Sequence, residues 1–210
     1  MRIGRILYPV SSLGPGKRLG IWVQGCGRSC EGCANPELQP MDIAKEMPLD
    51  IVILMARTAI TLYGLDGISI TGGEPMLQAG ELSDLVSALS DICSDVLVFS
   101  GFTLEELQGM NDNVIDGFLS KISVLVDGPY IKDRNRGEKL RGSDNQRIHF
   151  LDRTKKELYL SYLSSENRVA DTFIADNGVI AVGIHPQDFS VKAEEHKIDY
   201  PEGGQYETSN

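Results

Sequence analysis

A mostly parallel α/β sheet is the architecture this chain predicts, and three observations predict it. Short apolar segments alternate with helix-length amphipathic ones between residues 19 and 126. Each apolar segment runs straight into glycine or a polar residue. The 210 positions are 41% hydrophobic, enough for one good-sized domain with a buried interior. Such alternation argues for a sheet, open or curled into part of a barrel, with its ligand site beyond the carboxyl ends of the strands.

The elements follow in order. Residues 19–24, LGIWVQ, are β-branched and aromatic enough for a strand that delivers into Gly25 and the first cysteine. Pro48 suits a helix N1 position, and Ile51, Leu54, Met55, Thr58 and Leu62 repeat at helical spacing until Gly64, predicting a helix with that face inward. Residues 67–71 form a short buried strand ending in Gly72 and Gly73, followed by a helix that buries Leu82, Leu85, Val86, Leu89 and Ile92. Residues 96–99 are a third strand. Thr103 and Glu106 then make a capping box, opening a helix of about two turns. Residues 122–126 repeat the strand signal, and 132–142 read as a charged loop. After residue 150, segments 158–163 and 172–175 look strand-like, and Asp176-Asn177-Gly178 is a hairpin turn, so the end of the sheet is expected to be antiparallel. The domain is expected to span 1–190, with 191–210 an acidic, mobile tail.

Composition excludes several classes. Thirty acidic against twenty basic residues give a formal charge of −10, which repels phosphate backbones and anionic lipid alike, so neither nucleic acid nor a membrane surface is an expected partner. The longest apolar run, residues 51–56, is far below the roughly 18 needed to span a bilayer. Gly4, Arg5 and Pro9 break any signal-peptide stretch, so a cytoplasmic location is expected. Three of the four cysteines fall within eight residues, a poor disulfide framework and a good ligand cluster.

Cys26, Cys30 and Cys33 give C-x3-C-x2-C, interleaved with Gly25, Gly27 and Gly32. The spacing favours an iron–sulfur cluster, with zinc or redox thiols as alternatives. The fourth cysteine, Cys93, is sixty residues away on a helix and is expected to pack in the core. Three thiolates on a four-iron cluster leave one iron open to a further ligand. The Thr71-Gly-Gly-Glu-Pro75 segment at the next strand end lets backbone approach a ligand and adds an anion; the plain alternative is a turn in which Glu74 and Pro75 start the next helix.

Together these motifs resemble the signature of the radical S-adenosylmethionine (SAM) enzymes. Further segments, among them Leu13-Gly-Pro-Gly-Lys-Arg18, Ser100-Gly-Phe-Thr103, Val126-Asp-Gly-Pro-Tyr130 and Arg141-Gly-Ser-Asp-Asn-Gln-Arg147, resemble the activating proteins of anaerobic ribonucleotide reductase, over residues 12 to 150. The resemblance implies a partial (β/α)6-type radical SAM barrel with a curved, mostly parallel sheet. It implies a 4Fe–4S cluster on Cys26, Cys30 and Cys33, with Gly72, Gly73 and Glu74 holding the SAM amino group. It also implies reductive cleavage of SAM to a 5′-deoxyadenosyl radical that takes a hydrogen atom from a backbone glycine of a partner enzyme, with a flavodoxin or ferredoxin as electron donor.

Within that reading Ser100 and Asp127 at strand ends are candidate SAM contacts, against plain turn roles, and Arg141 is a candidate for the SAM carboxylate. Asn145 and Gln146 are weaker candidates. Gly32 stands where many radical SAM enzymes carry an aromatic residue. His149, His185 and His196 show no mutual ligand spacing, and the basic run of Lys132, Arg134, Arg136, Lys139 and Arg141 reads as a solvated loop. The alternatives are a radical SAM enzyme for a small molecule or peptide, and a zinc-stapled interaction module.

Overall fold

The computed structural model describes residues 1–166, 170–175 and 178–184. Its centre is a six-stranded sheet in sequence order: β1 (Ile3–Val10), β2 (Arg18–Val23), β3 (Gly67–Gly72), β4 (Val96–Phe99), β5 (Val124–Asp127) and β6 (Arg147–Phe150). The four central strands are parallel, while β1 and β6 pair antiparallel at the two edges. The antiparallel edges therefore lie elsewhere than expected. The hairpin of β7 (Asp171–Ala175) and β8 (Gly178–Val182) exists but forms a separate two-stranded sheet.

Crossovers that always step the same way across a sheet leave their helices on one face. Here α1 (Leu49–Tyr63), α2 (Ala79–Leu89) and α4 (Asn113–Leu119) share one apolar cluster with the side chains of Leu19, Ile21, Ile68, Ile70, Val96 and Val98. The alternate residues of the same strands, Trp22, Leu97, Phe99, Val124 and Val126, face the opposite way. They are covered by α5 (Lys156–Ser164), which contributes Tyr159, Tyr162 and Leu163, and by Phe173, Ile180 and Val182 of the hairpin. The predicted strand at 158–163 is therefore a helix. The Tyr159, Tyr162, Leu163 spacing is that of one helical face, and the apparent two-residue alternation of LYLSYL concealed it.

Two helix details also differ from expectation. Pro48 is the residue before α1, not its first turn. The face of α1 turned inward carries Val52, Ala56, Ala59 and Ile60, while Leu54 and Leu62 are 62% and 74% exposed. The helix is apolar nearly all round, so periodicity alone is ambiguous, and its two alanines allow close approach to the sheet. The short α3 (Leu104–Gly109) opens with both halves of the Thr103–Glu106 capping box. Ile92 and Cys93 lie beyond the end of α2, and Cys93 is buried in the core as expected.

Candidate functional site

The carboxyl ends of β2, β3, β4 and β5 converge on one end of the sheet. From β2 the chain passes through Gly25 into the cysteine loop, which is hung at its start: Gly25 and Cys26 donate their N–H groups to the carbonyls of Leu38 and Gln39, both at 2.8 Å. The Gln24 side chain adds bonds to the carbonyls of Glu37 and Pro40. Cys26, Cys30 and Cys33 are free and partly exposed. Among the described residues no three Cys, His, Asp or Glu side chains are placed to hold a single metal ion. The three thiols are nonetheless neighbours. Burial raises the Cys26 thiol above its ordinary value, the Arg28 N–H opposes that, and the neighbouring Glu74, Cys30 and Cys33 add to the rise.

Glycine brings the end of β3 against this loop. The N–H of Gly73 bonds the Val23 carbonyl at 2.8 Å, and that of Glu74 bonds the Gly25 carbonyl at 2.9 Å. A Cβ on Gly73 would lie 2.2 Å from the Gly25 oxygen, and one on Gly72 2.5 Å from Val23 backbone atoms, so no larger residue permits the approach. These N–H groups are thus used to stitch the two strand ends together.

Glu74 is 2% exposed. Its Oε1 accepts from the Met76 N–H at 3.0 Å and the Ser100 hydroxyl at 2.9 Å, and its Oε2 from the Gly101 N–H at 2.7 Å. The bond to Met76 makes it the cap of the following turn, Pro75–Gln78, so the plain reading of this residue is also realised. Burial raises its carboxyl above the usual range, and the three donors with the nearby Arg28 charge only partly oppose that. A carboxylate offers about four acceptor positions, of which three are filled here.

Ser100 donates to Glu74 and accepts from the Phe102 N–H at 3.1 Å, serving both the site and its own turn. Asp127 is buried and engaged by its own chain. It accepts from the Leu104 N–H at the start of α3 and from Arg147 Nη2, both at 2.6 Å, and His149 Nε2 stands 2.9 Å away. Burial raises its carboxyl, but Arg147 and the donors around it outweigh that and hold it below the ordinary value. Arg141 is directed elsewhere, paired with Glu138 and bonded to the Gln146 carbonyl. Asn145 and Gln146 tie their turn to the carbonyls of Pro129 and Gly128. Gly32 has φ +69 and lies under the Lys132 side chain, so a bulky residue there would be strained. The basic run is largely self-neutralised, through Lys132 with Glu31, Arg134 and Arg136 with Asp144, and Arg141 with Glu138. His185, His196, the hairpin residues 176–177 and the tail at 191–210 lie outside the described residues.

Sequence reasoning missed Arg28, whose guanidinium carbon lies 4.1 Å from the centre of the Phe102 ring. Its place inside the cysteine triplet was the available signal. It also missed a buried cluster at the other end of the sheet. Arg18, fully buried, gives all five of its N–H groups to Ser69, Asp95 and the carbonyls of Pro15, Ile68 and Asp95, and the Tyr159 hydroxyl donates to Asp95 at 3.0 Å.

Comparison with known proteins places the chain in context. Residues 12–149 match the family described as a 4Fe-4S single cluster domain. An anaerobic ribonucleoside-triphosphate reductase-activating protein of Salmonella typhimurium is 33% identical over 154 residues, covering 69% of this chain and 96% of its own. Its counterpart in Vibrio cholerae is 34% identical over 152 residues, 68% of this chain and 94% of its own. A putative glycyl-radical enzyme activating enzyme of Haemophilus influenzae is 33% identical over 84 residues, covering 40% of this chain and 32% of its own. The solved structure of QueE from Escherichia coli superposes with a TM-score of 0.38 and 18% identity over 49% of this chain and 53% of that one, a likeness too slight to define a fold.

Proposed function

This chain belongs to the family of anaerobic ribonucleoside-triphosphate reductase-activating proteins, with their 4Fe-4S single cluster domain, and on that premise we propose that it is a radical SAM activase that installs a glycyl radical on a partner enzyme of the anaerobic ribonucleotide reductase class. The observation that carries this reading is the stitching of the cysteine loop to the Gly72–Gly73–Glu74 segment, which sets three thiols beside a buried carboxylate at the carboxyl end of the sheet. The donor set fits a 4Fe–4S cluster: Cys26, Cys30 and Cys33 would hold it, Cys93 is buried elsewhere in the core, and three thiolates would leave a coordination position open for SAM. With SAM beside it, such a cluster would supply the one-electron reduction that cleaves SAM to methionine and a 5′-deoxyadenosyl radical able to take a hydrogen atom from the partner's glycine.

The chain's own residues bind and orient. Gly72, Gly73 and Glu74 receive the SAM amino group, and Glu74 offers its remaining acceptor position to that ammonium. Ser100 holds the Glu74 carboxylate in place, and Asp127 fixes the start of α3 beside the site. Arg141 reaches a SAM carboxylate only by leaving Glu138. The finer fold in this reading is a partial (β/α)6-type barrel over a single domain of residues 1–190, supported by strands in sequence order with their crossovers on one face. The electron comes from a flavodoxin or ferredoxin, and the protein works in the cytoplasm; among the described residues no helix is long and apolar enough to cross a membrane. A second reading, a small-molecule or peptide substrate, draws on the α5 and β7–β8 layer, which lies beyond the residues matched to the family and covers the inner face of the sheet.

The test is anaerobic reconstitution, then dithionite and SAM, with 5′-deoxyadenosine read by chromatography and the reduced cluster by electron paramagnetic resonance. A cluster signal perturbed by SAM, with slow nucleoside release that an anaerobic reductase accelerates, is expected; Cys30→Ala abolishes both signals. An intact cluster with no SAM response sinks the SAM assignment. Nucleoside release indifferent to the reductase favours the second reading.

A further inference from the structure

Arg28 stands between Cys26 and Cys30, and its backbone N–H points at the Cys26 sulfur, 3.4 Å away. Its side chain leaves the loop and crosses to the turn between β4 and α3. There the guanidinium lies over the Phe102 ring at 4.1 Å, and Nη2 is 3.3 Å from Oε2 of Glu106, the residue that closes the α3 capping box. Its stem rests on Gly101. A Cβ at that position would come within 2.4 Å of Arg28 Cδ and 3.2 Å of Glu74 Oε2, so glycine is what lets the arginine stem and the buried carboxylate share one side of the turn.

The ion pair with Glu106 does not account for this placement. The Glu106 side chain is 52% exposed, and such a pair contributes little. Arg28 Nε is buried with no hydrogen-bond partner, which costs more than that pair returns. What the arrangement achieves is orientation: a flat cation stacked on an aromatic face is held in direction as well as in distance, and lysine reproduces the charge without the stacking plane.

We propose that Arg28 is a positioning residue of the site, pinning the cysteine loop to the β4–α3 turn through Phe102 and fixing a positive charge near Glu74, at the edge of that loop. The charge half of the proposal rests on the functional reading above, in which three thiolates hold an iron–sulfur cluster. Local charge is one of the levers that set a cluster's potential, and a fixed cation favours the reduced form.

Two measurements on the full chain test it, with Arg28→Gln, Arg28→Lys and Phe102→Leu. In metal-free protein, alkylation of Cys26, Cys30 and Cys33 by iodoacetamide, resolved by peptide mass spectrometry, is expected to be severalfold faster in Arg28→Gln and Phe102→Leu. Cys93 should stay protected in both, which separates a loosened loop from a damaged fold. In reconstituted protein of equal iron content, the midpoint potential followed by electron paramagnetic resonance should move negative in Arg28→Gln. It should stay near the parent value in Arg28→Lys and Phe102→Leu, which keep the charge. Parent-like alkylation in Arg28→Gln overturns the pin, and a parent-like potential overturns the charge role. A parent chain that takes up no four-iron cluster overturns the functional reading together with the charge role, and alkylation still decides the pin.

Discussion

The two ends of the parallel strands both concentrate polar groups, and they treat them in opposite ways. At the amino end, Arg18, Ser69, Asp95 and Tyr159 form a closed system in which every guanidinium N–H has a partner inside the chain. At the carboxyl end, Glu74 is short of one donor, Arg28 has an N–H with none, and three thiols reach solvent. A buried charge that is fully bonded serves the fold, whereas groups left part-satisfied are the ones available to something from outside. The same sheet thus separates holding together from reacting by the length of a strand.

The largest expected effect breaks the closed end. Asp95→Ala leaves the Arg18 charge buried and unpaired, and should cost about 3–5 kcal/mol in urea unfolding, while folded protein that survives still takes up iron. Equal damage to iron uptake and to stability would mean that the two ends are not separable. Next, Ser100→Ala at the open end removes one donor from a buried carboxylate. It should cost about 1–3 kcal/mol and weaken SAM binding, read by calorimetry on reconstituted protein. The pH dependence has a definite sign. Glu74 in the folded chain binds a proton more readily than in the unfolded one, so its contribution falls as pH rises above the ordinary 4.5, and losing the Ser100 donor extends that fall to higher pH.

Asp127 should show the reverse. Its carboxyl is held below the ordinary 3.8, so its contribution is present above that value and lost as pH falls through the folded value. Asp127→Asn should flatten the acid limb of a stability profile measured between pH 5 and 2 by roughly the 1 kcal/mol of an ordinary ion pair. An unchanged acid limb would show that Arg147 gains nothing from it. The smallest effect tests the helical face: Leu62→Gln, at an exposed position, should stay within about 0.5 kcal/mol of the parent, whereas Ala56→Leu on the packed face should cost about 1–3 kcal/mol.

What was legible in the sequence follows from how local each signal is. Central strands buried on both faces are nearly continuous apolar runs, so β2 to β5 stood out, and the Thr103–Glu106 box and the β7–β8 hairpin are written within a few residues. The edge strands were not legible. In β6 charged and partly exposed residues alternate with apolar ones, and in β1 Gly4, Arg5 and Pro9 interrupt the pattern. The cysteine triplet and the Gly-Gly-Glu segment could be read because their chemistry is in their spacing. Arg18 and Arg28 could not. An arginine at a strand start or in a loop looks solvated until its partners are known, and these come from 51 and 77 positions away for Arg18 and 78 for Arg28. The partners that Asp127 and Arg141 have within the chain, Arg147 and Glu138, were not read from the sequence either.

The layer covering the sheet face opposite α1, α2 and α4 has a consequence for how the molecule is made. The Asp171 carboxylate accepts the N–H groups of Ser11 and Ser12, the Ser12 hydroxyl bonds the Val182 carbonyl, and Tyr162 bonds the carbonyls of both serines, across separations of 150 to 170 residues. The end of β1 is therefore completed by segments synthesised about 150 to 170 residues after it. At the usual rates of synthesis, about 5–20 residues per second, the opening strands wait several seconds for their final partners. During that interval Trp22 and Phe99 face water on the side that α5 and the hairpin later close. Translation order thus leaves the nascent chain with one apolar face open longest, and a pause before residue 171 would prolong that exposure.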